Sequence, residues 1–312
     1  MNLIGLSDAS QVSGVSTTTI RNYIKDQRLK SYQKGNRVLV DRDELQSVFA
    51  PKLRSAAHAT DRPRIIAVAN QKGGVGKTTT AVALATLLGA TDPVLALDCD
   101  PQGNMTQAFG FDPDSQERTL YNVLLEEETI EGCLLRVGPP PADLHLVPSN
   151  LDLADIWRRV AGKVGLETLL KSALQPVLSR FRYVIMDCPP SLDNTTLNCL
   201  VVATEVIVPV DMSLFSVRGM VKLNATMQEV RKVNPDLPPP RILACRTEHT
   251  TVSHEMESGL RDKFGDNVLR ASIPKSKDVQ ASQGAGLPLP LYAPKSKATS
   301  AYESVVEEIR RG

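Results

Sequence analysis

No run in this sequence approaches the ~18 apolar residues that a membrane-spanning helix needs. The start, MNLIGLSDASQ, has neither a basic segment nor a long apolar one, so a secretory leader is not expected. Cysteine is scarce. Cys99, Cys133, Cys188, Cys199 and Cys245 are odd in number and form no C-x-x-C pair. That argues against a disulfide framework or a zinc site and for reduced, buried thiols in a cytoplasmic protein. A glycine is also missing. The stretch Asn70-Gln71-Lys72-Gly73-Gly74-Val75-Gly76-Lys77-Thr78-Thr79-Thr80 ends like a phosphate-binding loop. The pattern G-x-x-x-x-G-K-[ST] asks for glycine five places before Gly76. That place holds Gln71, and a second lysine, Lys72, follows it.

What is present is ordinary in bulk. The 312 residues are 42% hydrophobic and 23% charged, enough for about two domains at ~150 residues each. The net charge of +1 is unevenly placed. Residues 1–64 hold eleven Lys/Arg against six Asp/Glu, a surplus of five, and the remaining residues hold 25 against 29. A small basic segment on a mildly acidic body points either to a polyanionic partner or to a solvated basic surface. Residues 51–64, PKLRSAAHATDRPR, lack apolar periodicity and read as a linker. The expected organisation is a small domain over 1–50, the linker 51–64 and a large domain over 65–312.

In the large domain, strand-like and helical segments alternate. The apolar runs are RIIAVA (64–69), VLALDCD (94–100), LHLVPSN (144–150), YVIMDCP (183–189), EVIVPVD (205–211), RILAC (241–245) and VLRASIP (268–274). This rhythm predicts βαβ units, and so an α/β fold whose parallel sheet is covered by helices on both faces. Right-handed crossovers put the loops at the strand C-termini on one edge, where ligands bind. Three of those strand ends carry acids: Asp98 with Asp100, Asp187, and Asp211.

A strand, a glycine loop, Lys-Thr and a helix are the context in which a phosphate loop is credible. Gly73, Gly74 and Gly76 let backbone N–H groups converge on one anion. The helix that begins near Lys77 adds its N-terminal partial charge. Lys77 is placed to reach the β- and γ-phosphates, the Thr78 hydroxyl to hold Mg²⁺, and Thr79 to bond the α-phosphate. Lys72 stands at the loop's start and need not point into its own cradle. It is either a surface lysine or a cation that reaches across a two-fold axis to a second subunit's nucleotide, like an arginine finger in trans.

KGGVGKTTT (72–80) resembles the deviant Walker A motif of the ParA/MinD superfamily, in which the second lysine contacts the partner subunit's nucleotide in an ATP-sandwich dimer. LDCDPQGNMT (97–106) resembles that family's switch segment, and YVIMDCPPSLDNTTLNCLVVATEVIVPVDMSLFSVRGM (183–220) its Walker B region and following helix. IPKSKDVQASQGAGLPL (273–289) resembles its nucleotide-base segment. The resemblance covers roughly 64–312. It implies an ATP hydrolase with ATP and Mg²⁺ as cofactors, in which Lys72, Gly73, Gly74, Val75, Gly76, Lys77, Thr78, Thr79 and Pro274 hold the nucleotide. Asp187 would hold Mg²⁺ through water, and Asp100 would orient the attacking water. Asp98 reads equally as a catalytic or a structural residue.

Within the superfamily, the tail SAYESVVEEIRRG is too acidic and too poor in bulky apolar residues for a MinD-like membrane anchor. Isolated Cys133 and Cys199 do not suit an iron–sulfur carrier. PQGN and PPSLDNTTLN resemble ParA proper. That implies a nucleoid-associated homodimer that binds non-specific DNA with ATP and moves plasmid or chromosomal cargo with a ParB-type partner. Arg218, Arg246 and Lys275 are candidate DNA contacts on the body.

The first 50 residues carry their own pattern. Ser7 is placed to cap a short helix, Gly14 to make a turn, and Ser16 to cap a second helix, TTTIRNYIKD. Strands over 29–33 and 37–40 flank Lys34-Gly35-Asn36 as a hairpin wing, and Asp41 is placed to cap a helix to Phe49. The layout resembles the winged helix-turn-helix of MerR-like regulators. By that resemblance Arg21 and Tyr23 would face the groove and backbone, and Arg28, Lys30, Lys34 and Arg37 would grip phosphates. A dimerisation module of the same shape remains open. Two functions follow: a DNA-segregation ATPase whose helix-turn-helix is auxiliary, with autorepression an optional addition, or a transcriptional regulator that uses ATP-driven dimerisation as a switch.

Overall fold

The computed structural model describes residues 3–13, 17–25, 29–35, 37–42, 44–45, 62–138, 142–212, 225–248 and 250–311. They form two sheets that share no strand. The first is antiparallel, in the order β1-β3-β2, with β1 Leu3–Gly5, β2 Ser31–Lys34 and β3 Arg37–Asp41. Gly35 turns β2 into β3 at a φ of 61°, the left-handed backbone that a tight hairpin asks for. The helices Leu6–Ser13 and Thr17–Lys25 pack beside this sheet over a small core that includes Ile20, Tyr23, Leu29 and Val40. The Asp41 carboxylate accepts from Glu44 N at 3.2 Å, as a cap should. Ser7 does not cap the first helix. Strand β1 runs straight into that helix at Leu6, so Ser7 lies inside its first turn.

The second sheet has eight strands: β4 Arg64–Val68, β5 Val94–Asp98, β6 Leu135–Val137, β7 Leu144–Val147, β8 Tyr183–Asp187, β9 Glu205–Asp211, β10 Arg241–Thr247 and β11 Ile273–Pro274. Their order is β11-β10-β9-β4-β8-β5-β7-β6. Every neighbouring pair is parallel except β6 with β7. Strand β6 was not expected, since three residues are too short to show a period.

Both faces of the sheet are buried, which is why its strands read as continuous apolar runs. Ile65, Ala67, Leu95, Leu97 and Met186 face one layer, where the helix Asn194–Val202 packs. Ile66, Val68, Ala96 and Ile185 face the other, under the helices Lys77–Gly89 and Lys297–Arg311. Those two helices are pinned by a buried hydrogen bond between Thr80 Oγ1 and Tyr302 Oη at 3.1 Å. A Cβ on Gly89 would stand 2.9 Å from Leu144 Cβ, so glycine lets the first of them close on β7. Among the described residues no helix is long and apolar enough to cross a membrane.

Register sets the site. Val68 of β4 and Asp98 of β5 both pair with Asp187 of β8, so three strand ends finish at one level under the glycine loop.

Candidate active site

The loop after β4 turns on Gly74 and Gly76, at φ 73° and 98°. Nothing lies within 4 Å of where a Cβ would stand on Gly73, Gly74 or Gly76. The backbone angle therefore demands glycine at 74 and 76, and the space beside them stays open for a ligand. No side chain caps the helix that starts at Lys77, which leaves its first N–H groups for an anion. Lys77 is only 7% exposed, and its Nζ donates to Lys72 O at 3.1 Å. Burial lowers its pKa, while Asp187 and Asp100 pull it back up.

Three carboxylates lie below. Asp187 is fully buried and neither of its oxygens meets hydrogen-bond geometry, although the Thr78 hydroxyl lies near enough to offset part of the cost of its charge. Burial, and then the charge of Asp98, push its pKa well above the carboxylate range. A buried carboxylate so thinly satisfied, at a phosphate loop, fits a cation. Among the described residues no group of three or more His, Cys, Asp or Glu forms a cage. A hard cation there would lean on Thr78, Asp187, water and ligand oxygens, as Mg²⁺ commonly does. Asp98 has a different task. Its Oδ2 accepts from Thr106 N and Oγ1, each at 2.8 Å, and its Oδ1 accepts from Asp100 N at 3.2 Å. Burial raises its pKa to about 7. Ser149 N donates to Thr106 Oγ1 at 3.0 Å, so this network ties segment 100–106 to the ends of β5 and β7. Asp98 is thus an anchor for that segment. Asp100 is 7% exposed, accepts from Gln102 N at 3.0 Å, and lines the same cleft as Lys77 and Thr78.

The cleft has a volume of about 760 Å³. One wall is the phosphate loop. The other runs from Cys245 and Arg246 past Pro274 and Lys275 to Gln283, whose Nε2 donates to Thr79 Oγ1 at 3.2 Å. Gly73 through Thr79, Asp100 and Pro274 all line it. Lys72 does not. Its Nζ lies 2.9 and 2.8 Å from the two oxygens of Asp211, at the end of β9. The two lysines of the loop therefore point to different places.

The candidate DNA contacts scatter. Arg21, Lys30 and Arg37 are exposed on the small domain. Tyr23 is not available to a groove: it is 6% exposed and packs with Ile20, Leu29 and Val40, because the i, i+3 spacing from Ile20 puts it on the helix's apolar face. Arg28, Arg218 and the side chain of Lys34 lie outside the described residues. Lys275 is exposed but pairs with Glu248 at 2.7 Å. Arg246 is exposed and also lines the cleft, where its Nη1 donates to Gly74 O at 3.3 Å. Sequence reasoning marked Asp211 as a strand-end acid but not as the partner of Lys72. It gave Gln283 and Tyr302 no role. A 3.6-residue period on their helices gives no sign of a hydroxyl partner two hundred residues away.

Fold and site together define a P-loop nucleotide hydrolase whose loop lacks the first glycine. Comparison with known proteins places it further. A family model described as an AAA domain matches residues 63–238, and one described as a helix-turn-helix domain matches residues 3–50. The chain is 34% identical over 251 residues to the chromosome partitioning protein ParA of Caulobacter vibrioides, covering 79% of this chain and 93% of that protein. Among solved structures, a plasmid partition protein of Borrelia burgdorferi bound to AMPPNP matches with a TM-score of 0.68 and 28% identity, over 80% of this chain and 99% of that one. A Mycobacterium smegmatis protein described as cobyrinic acid a,c-diamide synthase, with bound ATP analogue and magnesium, matches with a TM-score of 0.71 and 34% identity, over 80% and 94%. The chain belongs to the ParA-type family of partition ATPases and carries an N-terminal helix-turn-helix domain.

Proposed function

We propose that this chain dimerises on ATP and Mg²⁺, binds non-specific DNA in that state, and moves DNA cargo across the nucleoid with a ParB-type centromere-binding partner. The observation that supports this best is the divergence of the two loop lysines. Lys77 lies inside its own cleft, while Lys72 stands outside it on Asp211. A site that keeps one of its two cations outside suits completion by a second copy of the chain.

Thr78 and, through water, Asp187 would hold Mg²⁺, which supplies charge neutralisation at the β- and γ-phosphate oxygens. Lys77 and the loop N–H groups fix the phosphates in line for attack. Asp100, tied to the loop floor through Asp98, orients the water. Lys72 of a second copy neutralises the charge that develops on the γ-phosphate. Because these effects are positional, turnover is slow until dimerisation and a partner tighten the site. The exposed Arg21 suits a groove contact of the small domain, and the exposed Lys30 and Arg37 suit phosphate contacts, at an operator of its own gene. Residues 1–50 and 65–312 act as separate domains in this scheme.

The test is a salt titration of a labelled random duplex with ATP or ADP. Saturable binding with ATP alone, falling steeply with salt, is expected. Tight binding to one short upstream site without nucleotide, and no ATP-dependent binding to random duplex, would instead make the chain chiefly a transcriptional regulator.

A further inference from the structure

Arg246 has a positive φ of 57°. Among the described residues the only other non-glycine with positive φ is Glu126, which ends the helix Leu120–Leu125, where such a backbone is common. Arg246 ends no helix. It sits near the end of β10, where the pairing with β11 slips between Cys245 and Thr247. Left-handed backbone strains an arginine, and strain of this kind persists where the surroundings impose it and a site uses it. Here the exposed side chain lines the cleft, and Nη1 meets Gly74 O at 3.3 Å.

That contact falls on the turn of the loop, next to the buried Val75. No atom lies within 4 Å of the Cβ positions of Gly73 and Gly74, while Val75 is fully buried, so packing holds the peptide between Gly74 and Val75 from the Val75 side alone. Its orientation matters. A phosphate cradle works only if N–H groups turn inward, and a carbonyl turned inward repels the anion. A guanidinium on the Gly74 carbonyl fixes that peptide, offsets the carbonyl's partial negative charge and adds positive charge near the phosphates. Arg246 is available for this. Among the described residues it forms no ion pair within 4 Å, and the nearby Glu248 carboxylate is taken by Lys275 at 2.7 Å.

We propose that Arg246 is a positioning residue of the nucleotide site: it holds the Gly74 carbonyl and offsets its partial negative charge, and so sets affinity for ATP and ADP alike. This rests on the nucleotide-binding reading above.

The test uses the full chain and the variants Arg246→Gly, Arg246→Lys and Lys77→Ala, with calorimetric titration of Mg-ATP and Mg-ADP, thermal melting and steady-state hydrolysis. Glycine relieves the strained backbone, so Arg246→Gly should melt no lower than wild type. Both nucleotides should nevertheless bind about tenfold more weakly, the scale of one hydrogen bond to a charged group. KM should rise by a similar factor with kcat nearly unchanged. Arg246→Lys, which keeps the charge without the guanidinium fork, should fall between. If Lys77→Ala loses nucleotide and Arg246→Gly binds like wild type, the clamp is refuted and the nucleotide reading stands. Loss of DNA binding in Arg246→Gly at unchanged nucleotide affinity also refutes the clamp and makes Arg246 a DNA contact. Wild type that binds no better than Lys77→Ala overturns both.

Discussion

Asp211→Asn removes the carboxylate charge that holds Lys72 in its own subunit. Lys72 Nζ sits 2.9 and 2.8 Å from the two Asp211 oxygens, with side-chain exposures of 31% and 17%. A hydrogen bond to a charged group contributes roughly 1.5–3 kcal/mol when sheltered, and an exposed ion pair roughly 0.2–1 kcal/mol. This half-sheltered pair falls between, at about 1 kcal/mol. If Lys72 serves a second copy's nucleotide, it leaves Asp211 to do so. A dimer then breaks two such pairs at a cost of about 2 kcal/mol. With 1.4 kcal/mol per tenfold, Asp211→Asn should tighten the ATP dimer by about thirtyfold. The assay is sedimentation over a range of protein concentrations with ATP and Mg²⁺, in an Asp100→Ala background so that nucleotide is not consumed. With ADP the substitution should leave the protein monomeric. An unchanged or weaker ATP dimer would refute the argument and make Asp211 a support for Lys72 in its working position.

Other perturbations separate the remaining roles. Lys77→Ala should abolish ATP binding by the monomer, whereas Lys72→Ala should bind ATP as wild type does but neither dimerise nor hydrolyse it; equal affinity losses in titration would count against this division. Asp100→Ala should still bind ATP and Mg²⁺ and stay dimeric on DNA, with hydrolysis stalled, and wild-type turnover there would contradict the water-orienting role. His145 tests the fold. Burial, only partly offset by Asp143, holds its pKa down to about 4 from 6.5. A depressed histidine stabilises the fold fully above pH 6.5 and loses that contribution as pH falls toward 4, because only the unfolded chain takes up the proton. The loss approaches about 3 kcal/mol. The denaturation free energy of His145→Gln should therefore fall less steeply than wild type between pH 6.5 and 4, and parallel curves would refute this.

The layered fold was legible because burial on both faces leaves strands such as Val94–Asp98 as unbroken apolar runs between helical stretches. Strand β6 escaped because three residues show no period. The glycine turn after β4 was legible to the residue, since the left-handed backbone at Gly74 and Gly76 dictates glycine there. The partner of Lys72 was not, because β9 lies 139 positions away in sequence and becomes a neighbour only through the parallel sheet. The bond from Arg246 to the Gly74 carbonyl was not legible for a related reason: the left-handed backbone at Arg246 leaves no mark in composition. Tyr23 illustrates the reverse. A motif match placed it toward DNA, whereas helical spacing from Ile20 puts it in the core.

The central claim is that Lys72 acts across the dimer, and mixing two inactive variants tests it most directly. Lys72→Ala supplies an intact Asp100 and lacks the lysine; Asp100→Ala supplies the lysine and lacks the acid. If Lys72 works in trans, a mixed dimer contains one complete site, formed on the Lys72→Ala subunit. ATP hydrolysis by the equimolar mixture should then rise well above that of either variant alone, up to about a quarter of the wild-type rate, the value for random pairing with one whole site in each mixed dimer. No recovery, with mixed dimers shown to form, would mean that Lys72 serves its own subunit and would contradict the account.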